Sequence, residues 1–247
     1  MKSTEFLAEA SVTEIIAEIA KIYNIESTTM KRMVKIAKSV GMKLNVLESL
    51  IQISQQCQPF IRQAGWDKCF ELYRGIPGVG NYEFIEKRVR LESRTPKSMD
   101  PYLFDEINSY FADMYGHPFR NAMLTTGDKY HTRLFGETFF VFPKGDFKFL
   151  WNENVEDFNF ALSNFSSSEA VKSKVEGSVW SSKNRDMINQ WFIDEFVKET
   201  DWHTIDMAAA IDAKAEIMIR CKDYWGINCR DHDNHVPAMT EIMKLAV

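Results

Sequence analysis

The chain has 247 residues, of which 45% are hydrophobic, and its formal net charge at pH 7 is −5. A chain of this length can bury a full hydrophobic core in one large domain, or in a domain with a helical extension. The acidic balance argues against a protein that coats nucleic acid over its whole surface, but not against a local basic groove. The four cysteines are widely spaced, so we expect free thiols in a reducing compartment.

The amino terminus lacks the features of a secretory signal, because residues 1–12 are polar and acidic. The apolar runs of the chain are all shorter than the roughly 18 residues that a membrane-spanning helix needs. We therefore expect a cytoplasmic protein that has no membrane partner.

The first part of the chain has the residue spacing of amphipathic helices. Apolar residues recur at helical intervals over residues 4–23, 28–40 and 43–55, and Gly41 separates the last two segments. The spacing predicts a helical region over residues 1–66. Two roles are open for it: the helices cover one face of the following domain, or they recognise a partner or target.

The pattern changes after this region, and residues 67–247 are typical of an α+β domain. Short apolar runs bounded by turn residues predict strands, and apolar residues at helical spacing predict further helices. The predicted strands are 69–76, 139–142 and 147–151, the predicted helices are 102–114 and 186–198, and the Ser-rich stretch 164–184 predicts a mobile loop. A polar tail is predicted after residue 228.

Three short segments place polar side chains where apolar strands begin or end. Arg74 ends one run, where a guanidinium can bind a phosphate, and Gly75 lets the backbone turn close to a ligand. Thr125 and Thr126 end another run, and their hydroxyls can hold a ribose or orient the arginine. Glu216 opens a third run and would lie at the rim of a cleft. Taken alone, each segment also fits a surface arginine, a capped turn or a core hairpin.

In this order the segments resemble the mono-ADP-ribosyltransferase superfamily, in its arginine–serine–glutamate branch with phage and bacterial toxin-like members. That pattern has an aromatic–Arg–Gly strand end, an apolar strand leading into Ser-Thr-Ser, and Glu-x-Glu before an aliphatic strand and an aromatic turn-back. The chain has Tyr-Arg-Gly at 73–75, Leu-Thr-Thr-Gly at 124–127, and Lys-Ala-Glu-Ile-Met-Ile at 214–219, with Tyr224 following. The likeness covers about residues 70–228. It implies a split β-sandwich catalytic domain that uses NAD as co-substrate and needs no metal.

The resemblance implies a role for each residue. Glu216 would stabilise the positive charge that develops on the ribose as its bond to nicotinamide breaks. Arg74 would hold the NAD pyrophosphate, and Thr125 would hold the nicotinamide ribose or support the other two. Tyr130 and Phe135 would line the pocket from a short helix, where one of them stacks on nicotinamide, although Phe135 also fits a core position. The implied NAD-binding residues are Arg74, Gly75, Thr125, Thr126, Tyr130 and Phe135.

Two positions depart from the family pattern. Thr125 replaces the usual serine but keeps the hydroxyl. Lys214 replaces the first glutamate of Glu-x-Glu, which engages the acceptor guanidinium in arginine-modifying relatives, and a lysine on this acceptor side would repel arginine. We therefore expect the acceptor to be a base of RNA or single-stranded DNA, since a base must be unstacked to be reached. Basic side chains within residues 87–97 are compatible with this, although such runs are commonly only solvated.

The predicted function is transfer of ADP-ribose from NAD to a nucleic-acid base by a toxin, a defence protein or a phage effector, with an antitoxin-like protein as a further partner. One alternative is a protein acceptor. Another is a non-enzymatic binding or virion protein on the same fold, since fold does not guarantee activity. His232 and His235 lie near two aspartates, but they lack the spacing of a zinc site, so we interpret them as part of the polar tail.

Overall fold

The computed structural model describes residues 12–80, 82–92, 99–175 and 182–247. Two compact units are found, and each is treated by itself. The first contains the chain up to Gln58 together with Arg230–Val247, and the second is Pro59–Cys229. The division predicted at residue 66 falls inside the second unit, and the carboxy-terminal residues belong to the helical one.

Helices account for much of both units. The α-helices of the described residues are α1 Val12–Ile22, α2 Ser27–Ser39, α3 Leu44–Gln56, α4 Gln58–Ala64, α5 Pro101–Tyr115, α6 Lys129–Thr132, α7 Phe158–Ser167, α8 Glu169–Lys172, α9 Ser182–Trp191, α10 Met207–Asp212, α11 Cys229–His232 and α12 Val236–Leu245. Shorter 3₁₀ turns are Phe119–Asn121, Arg133–Phe135 and Asp233–His235, and Phe192–Val197 is a π-helix. Within these ranges, no helix has both the length and the apolar character needed to cross a membrane.

The first unit is built around α2, α3 and α12, which pack on one another. The polar tail predicted after residue 228 is wrong, because α12 buries Met239, Ile242 and Met243 on one face. The Ser54 hydroxyl of α3 donates a hydrogen bond to the Met243 carbonyl over 2.6 Å. Residues 231–235 before α12 are all polar, so the sequence pattern does not indicate that a helix begins at Val236.

The second unit contains one antiparallel sheet flanked by helices. Its strands are β1 Tyr73–Ile76, β2 Phe84–Arg88, β3 Met123–Thr126, β4 Glu137–Pro143, β5 Lys148–Trp151, β6 Glu216–Arg220 and β7 Asp223–Asn228. They lie in the order β2-β7-β4-β1-β3-β6-β5. The α+β class predicted from the sequence is therefore confirmed.

The sheet is nearly divided between β1 and β3. Tyr73 opposite Thr126 is the single residue pair that joins these strands, whereas β4 and β7 pair at five positions. Residues 221 and 222 alone connect β6 to β7, although three strands lie between them in the sheet. Such a link spans about 11 Å at most, whereas four steps across a flat sheet measure about 19 Å. The sheet therefore bends strongly. Its two parts are β2-β7-β4-β1 and β3-β6-β5, and the bend brings them close together at the edge where residues 221 and 222 connect β6 to β7.

Helices and aromatic side chains cover one face of β6. Met218 of β6 is buried in a cluster with Phe111 of α5 and Phe158 of α7. The Trp202 ring stacks on Phe158 with 5.3 Å between ring centroids. This rigid packing fixes the part of the sheet that carries Glu216.

The mobile loop predicted at residues 164–184 is wrong for its first part, because α7 and α8 occupy most of residues 158–172. Each helix begins at a polar side chain that accepts hydrogen bonds from the first backbone N–H groups: Asp157 for α7 and Ser168 for α8. Serines that suggest a loop therefore act partly as helix caps. Residues 176–181 of the predicted loop lie outside the described residues.

Candidate functional site

A cavity of about 590 Å³ lies at the break in the sheet. Residues of β1 and β7 line it from one part of the sheet, and residues of β3 and β6 line it from the other. Its volume falls within the range of roughly 300–1,000 Å³ that is typical of small-molecule sites.

Most of the predicted site residues meet in this cavity. Arg74, Thr125 and Glu216, which come from three distant segments, all line it. Gly75, Thr126 and Phe135 line it as well, whereas Tyr130 and Lys214 are absent from the described lining.

Arg74 is held against the wall of the cavity by its neighbours. Its Nη1 donates to the Leu124 carbonyl over 2.7 Å, and its side chain hydrogen-bonds the Tyr224 hydroxyl. Burial raises the pKa of Tyr224 against the opposing effect of Arg74, so this hydroxyl stays protonated. The Arg74 Nε is buried and has no hydrogen-bond partner among the described residues. A phosphate oxygen would supply the missing acceptor.

Gly75 is required by the chain itself. A Cβ atom at this position would collide with the Thr132 carbonyl oxygen and would lie 2.8 Å from the Phe135 Cβ. The glycine thus lets the end of α6 and the turn after it pack against β1. Close approach of a ligand to its backbone, as the sequence predicted, stays a prediction, and Gly75 lines the cavity. The packing against β1 brings the Phe135 ring, which is 50% exposed, to the cavity wall. Tyr130 instead is 73% exposed, with the Arg133 guanidinium 5.0 Å above its ring.

The two threonines tie β3 to the segment that carries Glu216. The Thr125 hydroxyl donates to the Ile217 carbonyl, and the Thr126 hydroxyl donates to the Lys214 carbonyl, each over 2.9 Å. Both side chains therefore support the position of Glu216, which is one of the two roles proposed for Thr125. Lys214 has a left-handed backbone with φ of 57° and an exposed side chain just before β6. Its contribution to the site is a backbone carbonyl, so the side-chain role predicted for it on the acceptor side lacks support.

Glu216 forms a buried ion pair with Arg120 that the sequence did not reveal. Arg120 Nη1 contacts Glu216 Oε1, and the two side chains are 5% and 8% exposed. The Arg120 guanidinium also lies 4.3 Å above the Phe158 ring. Its backbone N–H donates to Asn108 Oδ1 of α5 over 2.9 Å, which anchors the turn before β3. Nothing in the sequence distinguishes Arg120 from a surface arginine, because its partners are brought together by the fold.

The described lining of the cavity carries more positive than negative side chains. Five cationic side chains face three carboxylates, which leaves a net charge of two positive if His131 is neutral. The cations are Arg74, Lys87, Arg88, Arg90 and Arg120, and the carboxylates are Glu156, Asp157 and Glu216. The predicted basic segment therefore contributes three side chains to the cavity, while Arg94 and Lys97 lie outside the described residues. This balance favours an anionic ligand.

In the part of the chain that the structure describes, no three His, Cys, Asp or Glu side chains form a candidate ion site. The four cysteines are buried thiols outside any disulfide. Burial raises the pKa of both Cys221 and Cys229 to about 12, so these two thiols are poor nucleophiles.

Comparison with protein-family models, with curated proteins and with solved structures finds no match to this chain. Function therefore has to be inferred from the chemistry of the cavity.

Proposed function

We propose that this protein is an NAD-dependent mono-ADP-ribosyltransferase whose acceptor is a nucleic-acid base. The observation that carries the proposal is the convergence of Arg74, Thr125 and Glu216 on one cavity. These are the three positions at which the chain resembles the family. A split β-sandwich of the family type is part of the proposal, and the break between β1 and β3 supports it.

The cavity suits a dinucleotide carrying a pyrophosphate. Arg74 would hold the pyrophosphate, because its buried Nε has no acceptor among the described residues and its guanidinium is already oriented by Leu124 and Tyr224. Lys87 and Arg88 line the same cavity and would add positive charge. The half-exposed Phe135 ring would stack on nicotinamide.

Glu216 would act where charge develops during the reaction. The bond between the ribose C1′ and the nicotinamide nitrogen breaks, nicotinamide leaves with the bonding electron pair, and an acceptor atom bonds to C1′ and releases its proton. A fixed carboxylate stabilises the transient positive charge on the ribose more than it stabilises the starting state. Arg120 would fix the orientation of this carboxylate, so no reorganisation is needed during the reaction.

The test is transfer of label from NAD carrying a radioactive phosphate, with purified RNA, single-stranded DNA and protein as separate acceptors. We expect Glu216→Gln to lower the transfer rate by about 10²–10³-fold. Glu86→Gln is the matched control, because Glu86 is a strand glutamate that forms an ion pair with Lys144 and is absent from the described cavity lining. Thermal unfolding and NAD binding by calorimetry would show that both variants are folded.

The outcomes separate the acceptors. Label that nuclease removes and protease leaves would identify a nucleic-acid acceptor, and the reverse would identify a protein. Equal rates for wild type and Glu216→Gln would remove Glu216 from its role. A toxin, defence or effector role further implies that expression of wild type slows growth while Glu216→Gln does not.

A second candidate is a non-enzymatic protein that binds an anionic nucleotide. The Arg120–Glu216 ion pair favours it, because a neighbouring guanidinium offsets the field that the carboxylate exerts on a developing positive charge. NAD binding with no transfer to any acceptor, unchanged in Glu216→Gln, would select this candidate.

A further inference from the structure

Two cations lie directly opposite each other where β5 and β6 pair. Lys148 is the register partner of Arg220. Directly opposed residues in an antiparallel pair share one face of the sheet, and their Cβ atoms are about 4.5–5.5 Å apart. Like charges at such a pair repel, so the arrangement works against the fold unless something else occupies the space between them.

A histidine adds a third basic group to this pair. His117 lies in the turn after α5, and its ring contacts Phe119 with 6.0 Å between centroids. Burial lowers the pKa of His117, and Lys148 and Arg220 lower it further, which places the imidazole within the field of both cations.

No counter-charge to this cluster is found in the part of the chain that the structure describes. Among the described residues, His117, Lys148 and Arg220 take part in no ion pair. The Arg220 Nη1 is buried and has no hydrogen-bond partner there. A buried donor left without an acceptor is costly, and a planar guanidinium matches the oxygen atoms of a phosphate.

The cluster is distinct from the cavity. Arg220 lies four residues beyond Glu216 along β6, which corresponds to roughly 13 Å. Neither Lys148, Arg220 nor His117 is among the described residues that line the cavity. An anion bound here would therefore not occupy the site proposed for NAD.

We propose that His117, Lys148 and Arg220 form a binding site for a phosphate group, independent of the enzymatic activity proposed above. The exposed Lys148 leaves the site open to solvent, so both a free phosphate ion and a phosphate of a polynucleotide backbone can reach it. The shared chemistry is a tetrahedral anion whose oxygens accept from the guanidinium and the ammonium.

Two binding measurements distinguish the sources. The first follows the His117 imidazole resonances by NMR as inorganic phosphate is added. The second follows a fluorescent single-stranded oligonucleotide by anisotropy. Both use wild type, Arg220→Gln and Lys148→Ala, with Lys144→Ala as the control because it removes one positive charge from the loop just before β5, where Lys144 already pairs with Glu86.

We expect Arg220→Gln and Lys148→Ala to weaken binding by about tenfold or more, and Lys144→Ala to change it less than twofold. Loss of oligonucleotide binding in the two site variants supports a polynucleotide phosphate. Loss confined to inorganic phosphate supports the free ion. Equal binding of both probes by wild type and the site variants would overturn the proposal. Arg220→Lys keeps the charge and should retain part of the binding, which separates a binding role from a folding defect.

Discussion

Strand β6 begins with Glu216 and ends with Arg220, and these two charged side chains have different surroundings. At the first end Glu216 is buried against Arg120, whose guanidinium is held by neighbouring elements. At the other end Arg220 lies opposite Lys148 and keeps a buried nitrogen without a partner among the described residues. The same strand thus contains one charge that the fold pairs and one whose partner, under the proposal above, is a ligand. We therefore expect a charge without a counter-charge to indicate a binding surface better than the presence of charge alone.

The largest expected effect comes from removing the compensating arginine. Arg120→Met leaves the Glu216 carboxylate without the guanidinium that it contacts in a buried position, so we expect unfolding in urea to require about 3–5 kcal/mol less free energy. Arg220→Met should change stability by less than about 1 kcal/mol, because Arg220 forms no ion pair with any described residue. A small effect of Arg120→Met would show that the two ends of β6 are alike.

The control for this prediction removes both charges. In Arg120→Met combined with Glu216→Gln, no charged group is left without its partner, and most of the lost stability should return. A double variant that is as unstable as Arg120→Met alone would mean that the packing of Arg120 on Phe158, rather than charge, holds this end of β6.

A smaller effect is expected at Gly127, which follows β3. A Cβ atom there would collide with the Ile211 carbonyl oxygen and would lie 2.8 Å from the Ile211 carbonyl carbon, both part of the backbone. We expect Gly127→Ala to cost about 1–3 kcal/mol. Because Ile211 lies in the last turn of α10, shortly before β6, amide chemical shifts should change near Glu216 and remain unchanged near Arg220. Equal chemical-shift changes near Glu216 and near Arg220 would show that the two ends of β6 do not respond independently.

The smallest effect concerns pH at the Arg220 end. The pKa of His117 is lowered in the folded protein by burial, Lys148 and Arg220, so the folded state favours the neutral imidazole. Its stabilising contribution is complete above the unfolded pKa of 6.5 and is lost as pH falls through the lower folded value. Between pH 7.5 and 5, wild type should lose more stability than His117→Asn in urea unfolding. If wild type instead became more stable than His117→Asn on acidification, the pKa of His117 would be raised in the folded state, which contradicts the prediction.

Local periodicity was sufficient for much of the fold. The helices at 28–40, 43–55 and 102–114 and the strands at 139–142 and 147–151 match observed elements because each has an apolar face of its own. The pairing of strands that are distant in the sequence could not be predicted from local periodicity. The runs on either side of residues 221 and 222 suggest a hairpin, yet β6 and β7 are separated by three strands, since the bend of the sheet decides their partners.

Candidate site residues could be predicted from the sequence where they belong to a family motif. They could not be predicted where only contacts in the folded chain bring a residue to the site. Arg74 and Thr125 lie inside the short strands β1 and β3, and Glu216 begins β6. Their convergence on one cavity is what the family resemblance implies. Arg120 could not be predicted, because Asn108 and Phe158 hold it only in the folded chain. Tyr130 and Lys214 were misplaced for a related reason: a one-turn helix and a left-handed residue direct their side chains to solvent.

The single pair of Tyr73 and Thr126 makes the two parts of the sheet depend on each other through very few backbone hydrogen bonds. A molecule bound in the cavity would contact both parts of the sheet, and these contacts would add to the single residue pair that joins β1 to β3. Occupancy and rigidity of the second unit are thereby linked: slower amide exchange along β1 and β3 would report a bound ligand of any chemical class.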